Sequence, residues 1–283
     1  MPTGAIDDTL REAARALEPD RYTAALLSPR HARAGLIALA AFAGDVRRIP
    51  FNVREPALGA IRLQWWRDAI ETGARDGERG PLAAALAALM AEGGLDRSRL
   101  LAVIDAREEE LYSDPIWDEE TLFRHLDACE GNLFRLAVQL IDDRAGPGGE
   151  TLLRAAGAAY GLMRVLSEFP RHLQKGRIPL PAVWLAGLTA EPAALAAPDA
   201  GAQLMAARNA AVATVRSRLA QICDAQRSAS RATRLAILPA ALIEPHLRVL
   251  ERYDHDLLRH VAEVAPLTRV WRLWRARRAI AGS

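Results

Sequence analysis

The sequence predicts an all-α fold, and three observations carry that expectation. Alanine and leucine dominate while aromatic residues make up only 5%. Runs of β-branched residues with period two are scarce. Apolar residues recur at helical spacing along nearly all of the 283 residues, so helix propensity and pattern agree. Apolar residues at 51% and charged residues at 25% are ordinary for a globular protein of a length that buries a large core.

The elements follow in order. Asp7 and Asp8 can cap a first helix with Leu10, Ala13, Ala14 and Leu17 on one face, and Pro19 stops it. A short helix over Tyr22 to Leu27 leads into Ser28-Pro29, a natural cap followed by a first-turn proline. The next helix is apolar nearly all round from Gly35 to Ala43, which marks it as central. Helices are then expected over Glu55–Ala74, Pro81–Ala91, Leu95–Leu111 and Asp118–Asp142. Gly146-Pro147-Gly148-Gly149 reads as the clearest loop. Further helices fit Glu150–Leu173, Ala202–Ser228, Arg231–Leu242 and Pro245–Val264. One domain over residues 1–283 is the economical reading.

Several function classes lose support at this level. A net charge of +2 gives no reason to expect nucleic acid. No apolar run reaches the roughly 18 residues of a membrane-spanning helix, and no signal-peptide pattern opens the chain. A cytoplasmic protein, peripheral to the inner membrane at most, is expected. Cys129 and Cys223 lie far apart and give no metal signature, so no metal or other cofactor is expected. The histidines form no triad pattern, and there is neither a Gly-rich phosphate loop nor a Gly-x-Ser-x-Gly elbow.

Two stretches stand out, each following a long apolar helical run: Gly44-Asp45-Val46-Arg47-Arg48-Ile49-Pro50-Phe51 and Ser167-Glu168-Phe169-Pro170-Arg171-His172. They sit within a larger ordered set. Leu27-Ser28-Pro29 with Arg33, then Ala38 to Phe42, Ile104-Asp105 to Leu111, Leu122 to Gly131, and Lys175-Gly176-Arg177-Ile178-Pro179-Leu180-Pro181 together resemble the squalene/phytoene synthase family over most of the chain. The resemblance implies an isoprenoid-synthase-like helical bundle around a central cavity. It also implies two acid-rich motifs on facing helices that hold Mg²⁺, which in turn holds a prenyl diphosphate; hard divalent ions neutralise the charge of a departing diphosphate.

Carried over position by position, the first motif falls on Arg47, Arg48 and Phe51 and the second on Glu168 and His172, while Glu110, Arg177 and Leu180-Pro181 remain recognisable. The arginine that the family keeps just after its Ala-Phe segment falls on Gly44. Asp45 sits two residues off register and should point elsewhere. Arginines would repel Mg²⁺ where aspartates bind it. The run Ala38 to Arg67, with Arg62-Leu63-Gln64-Trp65-Trp66-Arg67, resembles the branch of this superfamily that assembles mitochondrial respiratory complex I. That branch implies a non-catalytic role, with complex I subunits or assembly intermediates as partners and a lipid or prenyl chain as a candidate cavity ligand. The alternative is a divergent head-to-head prenyl transferase that uses Mg²⁺.

The candidate residues also have plainer readings. Arg47 and Arg48 suit a phosphate or carboxylate ligand, or an ion pair with Glu168 across the cleft. Glu168 and His172, four apart, suit one shared ligand or metal, or more simply a hydrogen-bonded or cleft-lining pair. Trp65 and Trp66 suit a partner surface, though one of such a pair is commonly core and the other half-exposed. Near the C-terminus, Trp271 and Trp274 with Arg275 and Arg278 suit an interfacial helix on anionic lipid, or a last helix docked on the core.

Overall fold

Prolines and small polar caps set many of the helix boundaries in the computed structural model, which describes residues 8–73, 80–112, 116, 118–142, 149–189, 191–252 and 256–282. The first helices are α1 (Asp8–Leu17), α2 (Pro19–Leu27), α3 (Arg30–Asn52), α4 (Pro56–Thr72), α5 (Gly80–Ala91), α6 (Arg97–Glu109) and α7 (Glu119–Leu126). A π-turn over Asp127–Gly131 joins α7 to α8 (Asn132–Ile141). Then come α9 (Gly149–Ser167), α10 (Phe169–Leu173), α11 (Ala182–Leu185), α12 (Pro192–Leu195), α13 (Ala200–Ala225) and α14 (Arg231–Ala236). A 3₁₀ turn over Leu238–Leu242 leads into α15 (Ile243–Leu250), and α16 (Pro266–Ala281) closes the series. Among the described residues there is no strand, and no helix is long and apolar enough to cross a membrane.

Helix α3 is central, with an unbroken buried run from Gly35 to Gly44. It packs against α1, α2, α5 and α8, while α13 runs along α9 through Leu204, Ala207, Ala211 and Val215, a stripe at helical spacing. Side chains from α1 to α15 join one continuous apolar core. Helix α16 docks at its edge, through Leu273 onto Ala24, Leu238 and Leu242, with Ile280 also touching the main core.

Local chemistry explains where the boundaries differ from expectation. The first helix ends at Leu17 with the break at Glu18, just before Pro19 as expected, and Pro19 is also the first residue of α2, where a missing N–H costs no hydrogen bond. Helix α3 does not stop before Gly44-Asp45 but carries the whole motif stretch, with Pro50 inside its last turn. The expected Glu150–Leu173 helix breaks at Glu168, because Pro170 cannot donate and crowds the preceding turn. The expected Asp118–Asp142 helix is interrupted by the π-turn, and the expected Pro245–Val264 helix ends at Leu250. Asp7 and most of the expected Gly146–Gly149 loop lie outside the described residues; Gly149 itself opens α9.

Candidate functional site

The two motif stretches meet at the centre of the bundle. Arg47, near the C-terminal end of α3, donates from Nη1 to both carboxylate oxygens of Glu168, each at 2.8 Å. Its Nε donates to Glu18 at 2.9 Å and its Nη2 to the Leu17 carbonyl at 3.0 Å, so every face of the guanidinium is engaged. Glu18, at the junction of α1 and α2, is 2% exposed. It reaches this position because Gly44 lets α1 press onto α3: a Cβ at Gly44 would lie 2.4 Å from the Leu17 Cβ. The same carboxylate accepts a two-pronged fork from Arg164 of α9, at 2.9 and 2.7 Å.

The chain of charge continues across the bundle. Glu130 of the π-turn accepts from Arg21 of α2 at 2.5 Å and from Arg107 of α6 at 3.2 Å, with Arg164 3.6 Å away. Arg107 also donates to Glu110, which accepts from His125 Nε2 at 2.9 Å. Four carboxylates (Glu18, Glu110, Glu130, Glu168) thus balance four guanidiniums (Arg21, Arg47, Arg107, Arg164). The π-turn is held where Glu130 can join by a close crossing with α9. A Cβ at Gly157 would lie 2.8 Å from the backbone of Gly131, so only glycine fits.

Electrostatics follow from this geometry. Burial alone would raise the Glu18 carboxyl, but Arg164, Arg47 and Arg21 outweigh it and hold it far below the usual range. Glu130, Glu110 and Glu168 are likewise pushed down, burial being overcome by Arg164 for Glu130, by Arg107 for Glu110 and by Arg47 for Glu168. The two central histidines diverge. Burial takes His172 down to about 4, so it is neutral near pH 7. Burial would do the same to His125, but Cys129 and the carboxylates of Glu109 and Glu110 drive it well above its ordinary value.

What remains of the cavity is small. About 40 Å³ lies among Arg47, Phe51, Glu110, Cys129, Glu168 and His172, room for a few waters. Pockets that hold organic ligands run to roughly 300–1,000 Å³. The large apolar chamber expected for a prenyl chain is not present at the motif positions; charged side chains fill them.

The other sequence candidates separate. Arg48 does not reach Glu168. It turns outward, pairs with Asp45 at 2.6 Å and lines an open groove of about 420 Å³ with Asn52, Arg62 and Trp65. Asp45 faces away from the cavity and accepts from Trp66 Nε1 at 2.9 Å. Phe51 packs edge-on against His172, with Arg177 over its ring. Glu168 and His172 border the same cavity, but both oxygens of Glu168 are taken by Arg47. Trp66 is core, 4% exposed against Phe42, so of the tryptophan pair only Trp65 presents a surface. On α16, Trp271 and Trp274 are half-exposed, and Arg275 and Arg278 stack over their rings rather than gathering on a separate face.

Glu18, Arg21, Arg107 and Arg164 are the charged residues that motif matching passes over. A signal did exist for Arg164, a lone charge inside the apolar run Ala155–Leu166. Outside the motif positions, His125 lies four residues before Cys129, and one ligand atom of each comes within 4.8 Å of one from Glu110.

The chain resembles known proteins in both sequence and fold. The family model for squalene/phytoene synthase matches residues 14–272. Complex I assembly factor 6 of Bos taurus is 24% identical over 280 residues, covering 94% of this chain and 81% of that protein. Its Mus musculus counterpart is 25% identical over 174 residues, 60% of this chain, a match spanning about half (51%) of that relative's length. A dehydrosqualene synthase crystal structure superposes with a TM-score of 0.78 over 98% of this chain and 96% of its own, at 13% identity. Squalene synthase HpnC from Alicyclobacillus acidocaldarius does so at 0.63 over 97% and 94%, at 16% identity. Those structures share the all-α isoprenoid synthase fold, and this chain, matched by the family model over nearly its whole length, belongs to the squalene/phytoene synthase family.

Proposed function

We propose that this protein is a non-catalytic assembly factor for a respiratory NADH dehydrogenase, built on a prenyl-synthase scaffold whose metal motifs have been lost. One observation carries the reading: Arg47 occupies a motif position and takes both oxygens of Glu168, the acid retained at the other motif. Magnesium requires a near-octahedral set of oxygen donors. Arg47, Arg48 and Phe51 offer none, and Glu168 is already saturated, so the residues do not fit the ion. A salt bridge now joins the two helices where a metal would have joined them. Similarity to complex I assembly factor 6 of several mammals supports the functional half of the proposal.

Two surfaces suit such a role. Leu58, Ile61 and Trp65 are exposed along one side of α4, spaced as a helix face that a partner subunit can cover. The arginine–tryptophan surface of α16 suits the anionic inner leaflet and would place the protein at the membrane without crossing it.

Deleting the gene is expected to lower membrane NADH dehydrogenase activity and to accumulate partial complexes. The purified chain with Mg²⁺ and farnesyl or geranylgeranyl diphosphate is expected to form no condensed product. A head-to-head product would sink the proposal in favour of a divergent prenyl transferase. That competing reading draws on Glu110 Oε2 and Arg177 Nη2, both buried without a hydrogen-bond partner. It requires Mg²⁺-dependent diphosphate binding that Glu168→Gln weakens.

A further inference from the structure

We propose that Glu110, His125 and Cys129 form a binding site for a thiophilic divalent metal of the zinc class, on the wall of the same small cavity that Glu168 borders. One ligand atom from each residue lies within 4.8 Å of the other two. The individual spacings approach those of a coordination shell. His125 Nε2 is 3.7 Å from Cys129 Sγ and 2.9 Å from Glu110 Oε1, the hydrogen-bonded oxygen of the carboxylate whose other oxygen, Oε2, is left open. The edges of a tetrahedral zinc site with ordinary bond lengths run to ~3.3–3.6 Å. Nitrogen, thiolate and a single carboxylate oxygen select a zinc-like ion over magnesium, which takes oxygen donors.

Three further features mark this as a built site. Glu110 Oε2 is buried and has no hydrogen-bond partner, while Oε1 already accepts from Arg107 and His125; the free oxygen is the one open to a metal. His125 directs its other nitrogen, Nδ1, at Glu109 Oε2, 3.4 Å away. A carboxylate behind the imidazole is the usual outer partner of a metal-bound histidine. The π-turn that begins two residues after His125 sets Cys129 into the cavity beside it, and such turns recur at functional positions. Charge balances as well: one carboxylate and one thiolate neutralise a divalent ion. Arg107, the nearest guanidinium, is shared between Glu110 and Glu130. The site opens on the same 40 Å³ space, which has room for a water to complete four-coordination.

The test uses the full chain carrying Cys223→Ser, which removes the exposed thiol and leaves Cys129 alone. Titration with Co²⁺ is expected to give one equivalent bound, with a thiolate-to-cobalt charge-transfer band that Zn²⁺ displaces. Cys129→Ser should abolish the band while the far-UV helical signal is kept, and Glu109→Gln should weaken binding about 10–100-fold. If Cys129→Ser does not fold, alkylation of Cys129 in the single-thiol chain replaces it, with Zn²⁺ expected to slow the reaction. Absence of the band with Cys129 present, or an alkylation rate indifferent to Zn²⁺, would overturn the site. The result is independent of whether the protein assists complex assembly, since neither readout involves a partner.

Discussion

Arginine does opposite work in two regions of this molecule. At the centre of the bundle, Arg21, Arg47, Arg107 and Arg164 are paired with carboxylates from four different stretches of chain. On α16, Arg272, Arg275 and Arg278 lie over tryptophan rings at the surface, with carboxylate oxygens nowhere among those ring contacts. The first group is desolvated and fixes which helices meet. In the second, Arg275 and Arg278 keep their charge in water and remain available to an outside partner. The same side chain is therefore structural where its charge is paired with buried carboxylates and interactive where it is not.

Removing an interior arginine should show the largest effect. Arg164→Met would leave Glu18 and Glu130, 2% and 3% exposed, short of the fork that holds them ionised. Uncompensated buried charge costs about 3–5 kcal/mol. Urea unfolding should register that loss, and a loss below about 1 kcal/mol would mean the cluster is hydrated and its pairing weak.

Acid titration sharpens the comparison next. His172 drops from 6.5 when unfolded to about 4 when folded. The unfolded chain therefore binds more protons between those values, and stability falls as pH drops from 6.5 towards 4, by roughly 2–3 kcal/mol. Lowered His246 has the same sign. Raised His125 has the opposite sign, its contribution being present below 6.5 and lost as pH rises through its folded value. The depressed carboxylates of Glu18, Glu110, Glu130 and Glu168 add a further loss below about 4.5, the value they have when unfolded. Comparing His172→Gln with the parent by thermal denaturation across pH 4–7 should flatten the upper part of that slope; an unchanged slope refutes the assignment.

A third break targets the crossing that places Glu130. Gly157→Ala pushes a methyl into the Gly131 backbone and should cost about 2 kcal/mol despite the better helix propensity of alanine. Gly201→Ala, with open space around it in α13, should instead stabilise by about 0.5 kcal/mol. Equal effects at the two positions in chemical denaturation would show that the crossing is loose.

These cases mark what the sequence made legible. The all-helical architecture followed from local pattern, and the starts expected at Asp118 and Arg231 are repeated by the structure, where Asp118 and Ser230 act as caps. The Arg47–Glu168 contact was also foreseeable, because both positions stand in register with motifs that face each other. Glu18 was not. Its partners Arg47 and Arg164 lie 29 and 146 residues away, and the approach of α1 depends on Gly44, whose role is only visible once Leu17 is beside it. The π-turn left no mark either, since one extra backbone step changes neither composition nor the average apolar period. Position-by-position reading captured pairs fixed by a shared scaffold and missed those fixed by packing.

The smallest effect on stability falls on α16, and it is the sharpest contrast with the interior. Trp271 and Trp274 are 48% and 44% exposed, and the helix is anchored by Leu273, by Arg269 on Asp20 and by Arg277 on the Leu27 carbonyl. Replacing both tryptophans with alanine leaves those anchors in place, so the unfolding free energy should move by no more than about 0.5 kcal/mol. Binding to vesicles rich in anionic lipid should fall strongly in the same variant, because the rings supply the apolar contact while Arg275 and Arg278 supply the charge. Co-sedimentation at low and high salt separates the two contributions: salt should weaken the parent and leave little for the variant to lose. If the double variant unfolds like an interior mutant and still sediments with vesicles, α16 is part of the core and the distinction between the two sets of arginines collapses.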